Sequence, residues 1–193
     1  MKGMLKEKGK FLVVPFGRAL VKLGFTAEAL TALGLIAAAA GGYLFATGHL
    51  RLAALLVLIA GLLDSADGTV ARLRGTVSPA GAFIDSAVDR YCEAIIFSGL
   101  LVHYLTLGNH GLARLTFAAL CGAFFVSYMR ARLEGLGKEC RVGLLEREDR
   151  VIVLAVGGFF GEPGVQVSLW VLAVLSHFTA LQRMWYANRV LRD

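Results

Sequence analysis

Four aspartates, Asp64, Asp67, Asp85 and Asp89, stand in the stretch DSADGTVARLRGTVSPAGAFIDSAVD, between long apolar runs. Asp64 and Asp67 are three apart and Asp85 and Asp89 four apart, so on helices each pair shares a face. Ala71 continues the first face. Gly68 and Ala71 leave it without bulky side chains, so a phosphate or a second backbone can come close. Gly81 lies one turn before Asp85. The connecting turn RLRGTVS is short, and Ser78-Pro79 is a helix start signal, with serine as N-cap and proline at the first helical position. Two antiparallel helices joined by that turn bring the two carboxylate pairs together.

Four close carboxylates repel one another unless they are protonated or bridged by cations. Oxygen-only donors, with no His or Cys in the stretch, favour Mg²⁺, Mn²⁺ or Ca²⁺ over zinc. A hard cation held by a few carboxylates and completed by substrate phosphates is the usual magnesium arrangement, and two ions could polarise both sides of a phosphoryl centre. Two other readings stay open on the residues alone. The aspartates could cap helix ends or pair with Arg72, Arg74 and Arg90, or they could form the ion path of a cation or proton transporter. A transporter needs its site near the bilayer midplane, whereas these aspartates cluster at one helix-end level beside Arg-rich segments. No Ser/His/Asp or Cys/His constellation points to covalent catalysis. His49, His103, His110 and His177 read as structural.

The elements that must position the aspartates are hydrophobic. Of the 193 residues 57% are hydrophobic and 18% charged, against about 25% charged in a soluble domain. Several apolar runs approach or exceed the ~20 residues that cross a bilayer as a helix. The expected fold is an all-α integral membrane protein. Residues 1–25 form a cytoplasmic juxtamembrane segment, and residues 26–193 one domain of six transmembrane helices, at about 27–46, 51–73, 79–105, 111–135, 147–161 and 165–187. With the N-terminus in the cytoplasm, seventeen of the twenty Lys and Arg residues fall on that side and only Arg51 and Arg114 opposite, with Arg90 inside a span. This positive-inside bias places the Asp-rich turn on the cytoplasmic face of the cell membrane. The basic residues flank spans and form no separate basic domain, so nucleic acid is not an expected partner. The apolar patch after the first lysines is short, broken by Pro15 and Arg18, and lacks a cleavage site, so no signal peptide is expected. Cys92, Cys121 and Cys140 are odd in number and two lie in spans, which argues for reduced packing residues.

Phe11, Leu12, Val13, Val14, Phe16, Leu20 and Leu23 alternate loosely with Lys and Arg, as in an interfacial amphipathic helix on anionic headgroups; a basic tail with a short helix after Pro15 is the alternative. Thr26 is the expected N-cap of the first span, and Glu28 suits its positive end. Gly34, Ala37 to Ala40, Gly41 and Gly42 form a small-residue face for close helix contact. The fifth span is short, so its helix is expected to begin near Leu144, and a turn containing Pro163-Gly164 leads to the sixth. Trp170 and the pair Trp185 and Tyr186 suit aromatic belts at the two interfaces.

At this point the chain resembles the CDP-alcohol phosphotransferases, whose signature is D-x2-D-G-x2-A-R-x8-G-x3-D-x3-D. Asp64, Asp67, Gly68, Ala71, Arg72, Gly81, Asp85 and Asp89 match it at every interval. The resemblance implies a membrane enzyme, in a family whose members are usually homodimers, that transfers a phospho-lipid or phospho-alcohol group from a CDP-linked donor to an acceptor hydroxyl and releases CMP; the expected reaction here is phosphatidyl transfer from CDP-diacylglycerol. It assigns Asp64, Asp67 and Asp85 to Mg²⁺ or Mn²⁺. Asp89 becomes the general base and also touches a second metal, and Gly68, Ala71, Arg72 and Gly81 shape the cytidine diphosphate site. Thr31 fits a family element that faces the nucleotide or acceptor; Ala27 and Glu28 depart from it, so no role for Glu28 follows. Guanidinium groups near such a metal suit a phosphate on the acceptor, although the same arginines also serve as a topology signal. SYMRARLEGLG followed by GLLEREDR is similar to the corresponding region of the phosphatidylinositol-phosphate synthase branch. That similarity implies that Ser127, Arg130, Arg132, Arg147, Arg150 and Arg183, with Arg141 a weaker candidate, hold inositol phosphate; glycerol-3-phosphate would use a similar basic pocket.

Overall fold

The computed structural model describes residues 14–192 and is helical throughout, with no strand among the described residues. Helix α1 covers residues 14–22. It is followed by α2 (Ala27–Ala46), α3 (Leu50–Arg74), α4 (Pro79–Thr106), α5 (His110–Glu134), α6 (Arg147–Phe159) and α7 (Glu162–Val190). The basic and apolar residues before Val14, including Lys2, Lys6, Lys8, Lys10, Phe11, Leu12 and Val13, lie outside the described residues.

Local chemistry sets most of these ends. The Ala29 amide donates to Thr26 Oγ1 at 3.2 Å, the Gly81 amide to Ser78 Oγ at 3.0 Å and the Leu112 amide to Asn109 Oδ1 at 3.1 Å. Each bond satisfies an amide that the first helical turn leaves open. Gly75, at φ 68°, closes α3 in the left-handed conformation that releases the chain into the turn toward Ser78. Two expectations need correction. Helix α6 starts at Arg147, not near Leu144, because Glu146 and Asp149 form a reciprocal capping box in which the Glu146 amide donates to Asp149 Oδ2 at 2.8 Å. The last turn lies at Phe160 and Gly161, with Gly161 at φ 74° as the N-cap of α7; Pro163 and Gly164 are already helical, since proline's fixed φ suits a first turn.

Helices α2, α5 and α7 are each long and apolar enough to cross a membrane. Helices α3 and α4 have 25 and 28 residues but carry the Asp- and Arg-rich stretch at their adjoining ends. Helix α6 has 13 residues, or about 20 Å, short of the ~30 Å hydrocarbon core. Tyr43, Leu52, Phe117, Trp170, Val174 and Phe178 are exposed on the outside of the bundle, as the lipid-facing surface of an integral membrane protein requires. Trp170 and Trp185, both exposed, stand about 22 Å apart along α7.

Helix α2 packs on both α3 and α4, α3 on α6, α4 on α5, and α5 and α6 on α7. The shared core includes Phe45, Val57, Leu100, Tyr104, Leu154, Leu169 and Leu172. The expected small-residue face of α2 does bring backbones together: a methyl group on Gly42 would lie 2.8 Å from the Ile95 carbonyl oxygen, and one on Gly99 would collide with the Gly42 carbonyl. Gly99→Val is therefore expected to lower the Tm of the detergent-solubilised protein, since overpacking costs about 1–3 kcal/mol; an unchanged Tm would show that α2 and α4 do not cross this closely. Helix α1 docks through Leu20, which packs with Leu30, Ala66 and Val70, and its Phe16 stays exposed, as does Leu23 just after it. One face of α1 thus rests on α2 and on the Asp-rich end of α3.

Candidate metal centre and its arginine network

Helices α3 and α4 bring three of the four aspartates to one point. Carboxylate oxygens of Asp64, Asp67 and Asp85 lie within 4.8 Å of one another. Asp67 is 5% exposed. From α2, Thr31 Oγ1 lies 2.7 Å from Asp67 Oδ2 and 3.0 Å from the Ala27 carbonyl, so its one hydroxyl proton serves either acceptor. Asp85 Oδ1 is buried without a hydrogen-bond partner among the described residues. Buried acceptors are almost always satisfied, and three convergent hard oxygens with one such orphan fit a divalent cation of the Mg²⁺ or Mn²⁺ type.

Asp89 lies one turn beyond Asp85, outside this three-oxygen group. Its Oδ1 pairs with Arg147 Nη1 at 2.7 Å, and its Oδ2 lies 3.4 Å from Arg90 Nη2. The same Arg147 Nη1 pairs with Asp64. Arg147, in the first turn of α6, therefore bridges α3 and α4 and offsets part of the negative charge that the aspartates concentrate there.

A second layer sits behind the first. Glu93, 5% exposed, accepts from Arg150 Nε at 2.7 Å through Oε1 and pairs with Arg90 Nη1 at 3.0 Å through Oε2. Arg90 Nη1 also donates to the Ser127 hydroxyl, which in turn donates to the Ala123 carbonyl at 3.2 Å. The sequence reading passed over Glu93; it named Arg90 as an alternative partner of the aspartates, and Arg90 does lie against Asp89. The signal was present: Asp85, Asp89 and Glu93 are spaced by four and share one face of α4.

The remaining candidates divide by burial. Gly68, Ala71 and Arg72 follow Asp67 along the last turns of α3, and Gly81 precedes Asp85, so nothing bulkier than a methyl stands at positions 68, 71 and 81. Arg72 donates to Thr69 Oγ1 at 3.2 Å. Arg147 and Arg150 share a face of α6, as their spacing requires, but meet different carboxylates. Arg183, 4% exposed, donates to the Val126 and Val142 carbonyls at 2.7 and 2.9 Å. Arg130 pairs with Glu134 at 2.8 Å, and both line a polar cavity of about 430 Å³ with Lys138, Cys140 and Arg141; Arg132 is exposed beside it. Glu28 is exposed in the first turn of α2. The histidines serve elsewhere: His103 meets Glu162 at 3.5 Å, His49 meets Thr47 at 3.1 Å and His177 meets the Ala173 carbonyl at 2.9 Å. The three cysteines are free.

A family model described as CDP-alcohol phosphatidyltransferase matches residues 25–181. The chain is 33% identical to the archaetidylinositol phosphate synthase of Pyrococcus horikoshii over 98% of its own length and 97% of that protein. It is 35% identical to the phosphatidylinositol phosphate synthase of Mycobacteroides abscessus over 95% and 87%. Among solved structures, the Mycobacterium tuberculosis phosphatidylinositol phosphate synthase with CDP-DAG bound is similar at a TM-score of 0.80 and 32% identity, over 91% of this chain and 92% of that one. The same enzyme in complex with manganese and citrate gives 0.79 and 34%, over 91% and 88%.

Proposed function

This chain belongs to the CDP-alcohol phosphatidyltransferase family, and from that footing we propose that it transfers a phosphatidyl group from CDP-diacylglycerol to inositol phosphate, giving phosphatidylinositol phosphate and CMP. The carrying observation is the convergence of Asp64, Asp67 and Asp85 beside the Asp89–Arg147 pair. Relatives that match nearly the whole chain support this acceptor by what they are named for, and the similar solved structures hold the donor and manganese.

In this reading Asp64, Asp67 and Asp85 hold Mg²⁺ or Mn²⁺, and the bound cation supplies charge neutralisation on the donor diphosphate. The protein's own residues do the rest. Thr31 orients Asp67, while Gly68, Ala71 and Gly81 leave room for the diphosphate to approach, with Arg72 at its cytidine end. Ser127, Arg130, Arg132, Arg147, Arg150 and Arg183 receive the acceptor phosphate, the carbonyls of Val126 and Val142 holding the Arg183 guanidinium. As the acceptor oxygen bonds to the lipid-side phosphorus, its hydroxyl proton passes to the Asp89 carboxylate, and the phosphorus–oxygen bond to CMP breaks with the electron pair leaving on CMP. The protein contributes positioning and electrostatics, with no covalent protein intermediate.

The reading extends to six membrane spans with the site at the cytoplasmic face, supported by the one-sided distribution of Lys and Arg, and to a homodimer, supported by family resemblance. CMP release from CDP-diacylglycerol, screened over inositol phosphate, glycerol-3-phosphate, serine and free inositol with Mg²⁺ or Mn²⁺, tests the chemistry. Inositol phosphate is expected to be fastest. Faster release with glycerol-3-phosphate would make the protein a phosphatidylglycerophosphate synthase, and preference for an unphosphorylated acceptor would remove the arginines from the acceptor site. Run on inside-out and right-side-out vesicles, the same screen reports the facing of the site, because the phosphorylated acceptors do not cross the bilayer. Light scattering on the purified protein checks the dimer.

A further inference from the structure

We propose that Glu93 is a positioning residue that ties the catalytic carboxylate Asp89 to the acceptor-side arginines by holding Arg90 and Arg150 in register. The inference rests on the assignment of Asp89 and Arg150 above and adds a residue that the family signature, which ends at Asp89, does not contain.

The argument begins with cost. A carboxylate as buried as Glu93 is tolerated only if it is well paired. Arg150 already supplies a charged hydrogen bond, from Nε to Oε1 at 2.7 Å, with Nη2 in ion-pair contact with the same oxygen at 2.6 Å. Oε2 nevertheless faces a second guanidinium, that of Arg90, at 3.0 Å, as an ion pair without hydrogen-bond geometry. One helix turn explains the effect of this second pairing. Asp89 and Glu93 lie on one face of α4, whereas Arg90 leaves the helix about 100° around from Asp89. Glu93 draws the Arg90 guanidinium back across that angle, so that Nη2 comes to 3.4 Å from Asp89 Oδ2 and Nη1 reaches Ser127 on α5. Asp89 is thereby held from both sides, by Arg147 on Oδ1 and by Arg90 on Oδ2. Through Arg150 the same carboxylate links α4 to α6. Without the charge on Glu93, Arg90 keeps only Asp89 and Ser127 as partners, Asp89 is held firmly from the Arg147 side alone, and Arg150 loses its anchor.

The test compares wild type, Glu93→Gln and Glu93→Asp as full-length protein in detergent, with CDP-diacylglycerol and inositol phosphate as substrates. Glu93→Gln keeps the shape and removes the charge. Its kcat is expected to fall at least tenfold and its KM for inositol phosphate to rise severalfold, with KM for the donor changed less than threefold. Glu93→Asp keeps the charge on a shorter side chain and is expected to recover much of the lost kcat. Wild-type kcat and KM in Glu93→Gln would overturn the inference, as would equal losses in Gln and Asp that follow only a lowered Tm, the mark of a packing role. An active wild type beside an unaffected Glu93→Gln defeats this inference alone; no CMP release by wild type with any phosphorylated acceptor defeats the proposed function and this inference with it.

Discussion

Asp89→Asn is expected to lower turnover by about 10²–10⁴-fold, the range typical of a lost general base, while CDP-diacylglycerol still binds. Asparagine has the size of aspartate, and its amide oxygen can still accept from Arg147 in place of the 2.7 Å contact, whereas the amide nitrogen cannot accept from Arg90 and the longer 3.4 Å contact is given up. The amide lacks the basicity to take the acceptor's proton. The substitution also removes one of the two carboxylates that Arg147 bridges and leaves Asp64 as its partner. The three-oxygen group of Asp64, Asp67 and Asp85 keeps its members, which is why donor affinity should survive. Steady-state CMP release together with donor binding by titration calorimetry separates the effects. Loss of donor binding with little change in turnover at saturating donor would make Asp89 a ligand and give the base to another residue.

Removal of divalent cation is expected to have the second large effect. Chelation with EDTA should bring CMP release to background, and Mg²⁺ or Mn²⁺ should restore it. The protein side of this prediction lies in Asp85, whose buried Oδ1 has no donor among the described residues. Asp85→Asn replaces a charged ligand with a neutral one and should weaken Mn²⁺ binding at least tenfold, followed by electron paramagnetic resonance of the free ion. Thr31→Val removes the hydroxyl 2.7 Å from Asp67 and should weaken it by about 10–100-fold at most, as changes behind a metal ligand commonly do. Wild-type Mn²⁺ affinity in Asp85→Asn, or CMP release that survives chelation, would take the cation away from this carboxylate group.

The features legible in the sequence are those whose cause lies within a few residues. Thr26, Ser78 and Asn109 announce helix starts because a cap acts across three positions. The two aspartate pairs declare their faces because a helix repeats every 3.6 residues, and the short turn ending at Ser78 is enough to make α3 and α4 antiparallel. Hydrophobic run lengths place six helices close to where they stand, and the glycines of α2 mark its contacts, Gly34 and Gly41 with α3 and Gly42 with α4. Local signals still lost twice to chemistry just as local: the Glu146–Asp149 capping box moved the start of α6, and Gly161 moved the last turn.

Partner identity belongs to the tertiary structure. Thr31 meets Asp67 across 36 positions, and Arg150 meets Glu93 across 57. Spacing shows that Arg147 and Arg150 share a face of α6, but only the packing of α6 on α3 brings Arg147 to Asp64 and Asp89 and takes Arg150 one layer deeper to Glu93. Arg90 sits on a different face of α4 from Asp89, and its guanidinium lies back across Asp89 where Glu93 and Ser127 also meet it. The physical reason is that a charged side chain beside hydrocarbon must find an opposite charge. Which one it finds depends on where neighbouring helices cross, and that is set jointly by small residues such as Gly42 and Gly99 and by the core around them. The sequence by itself determined the carboxylates and the cation chemistry they suit, and the crossing of helices decided which arginines hold them.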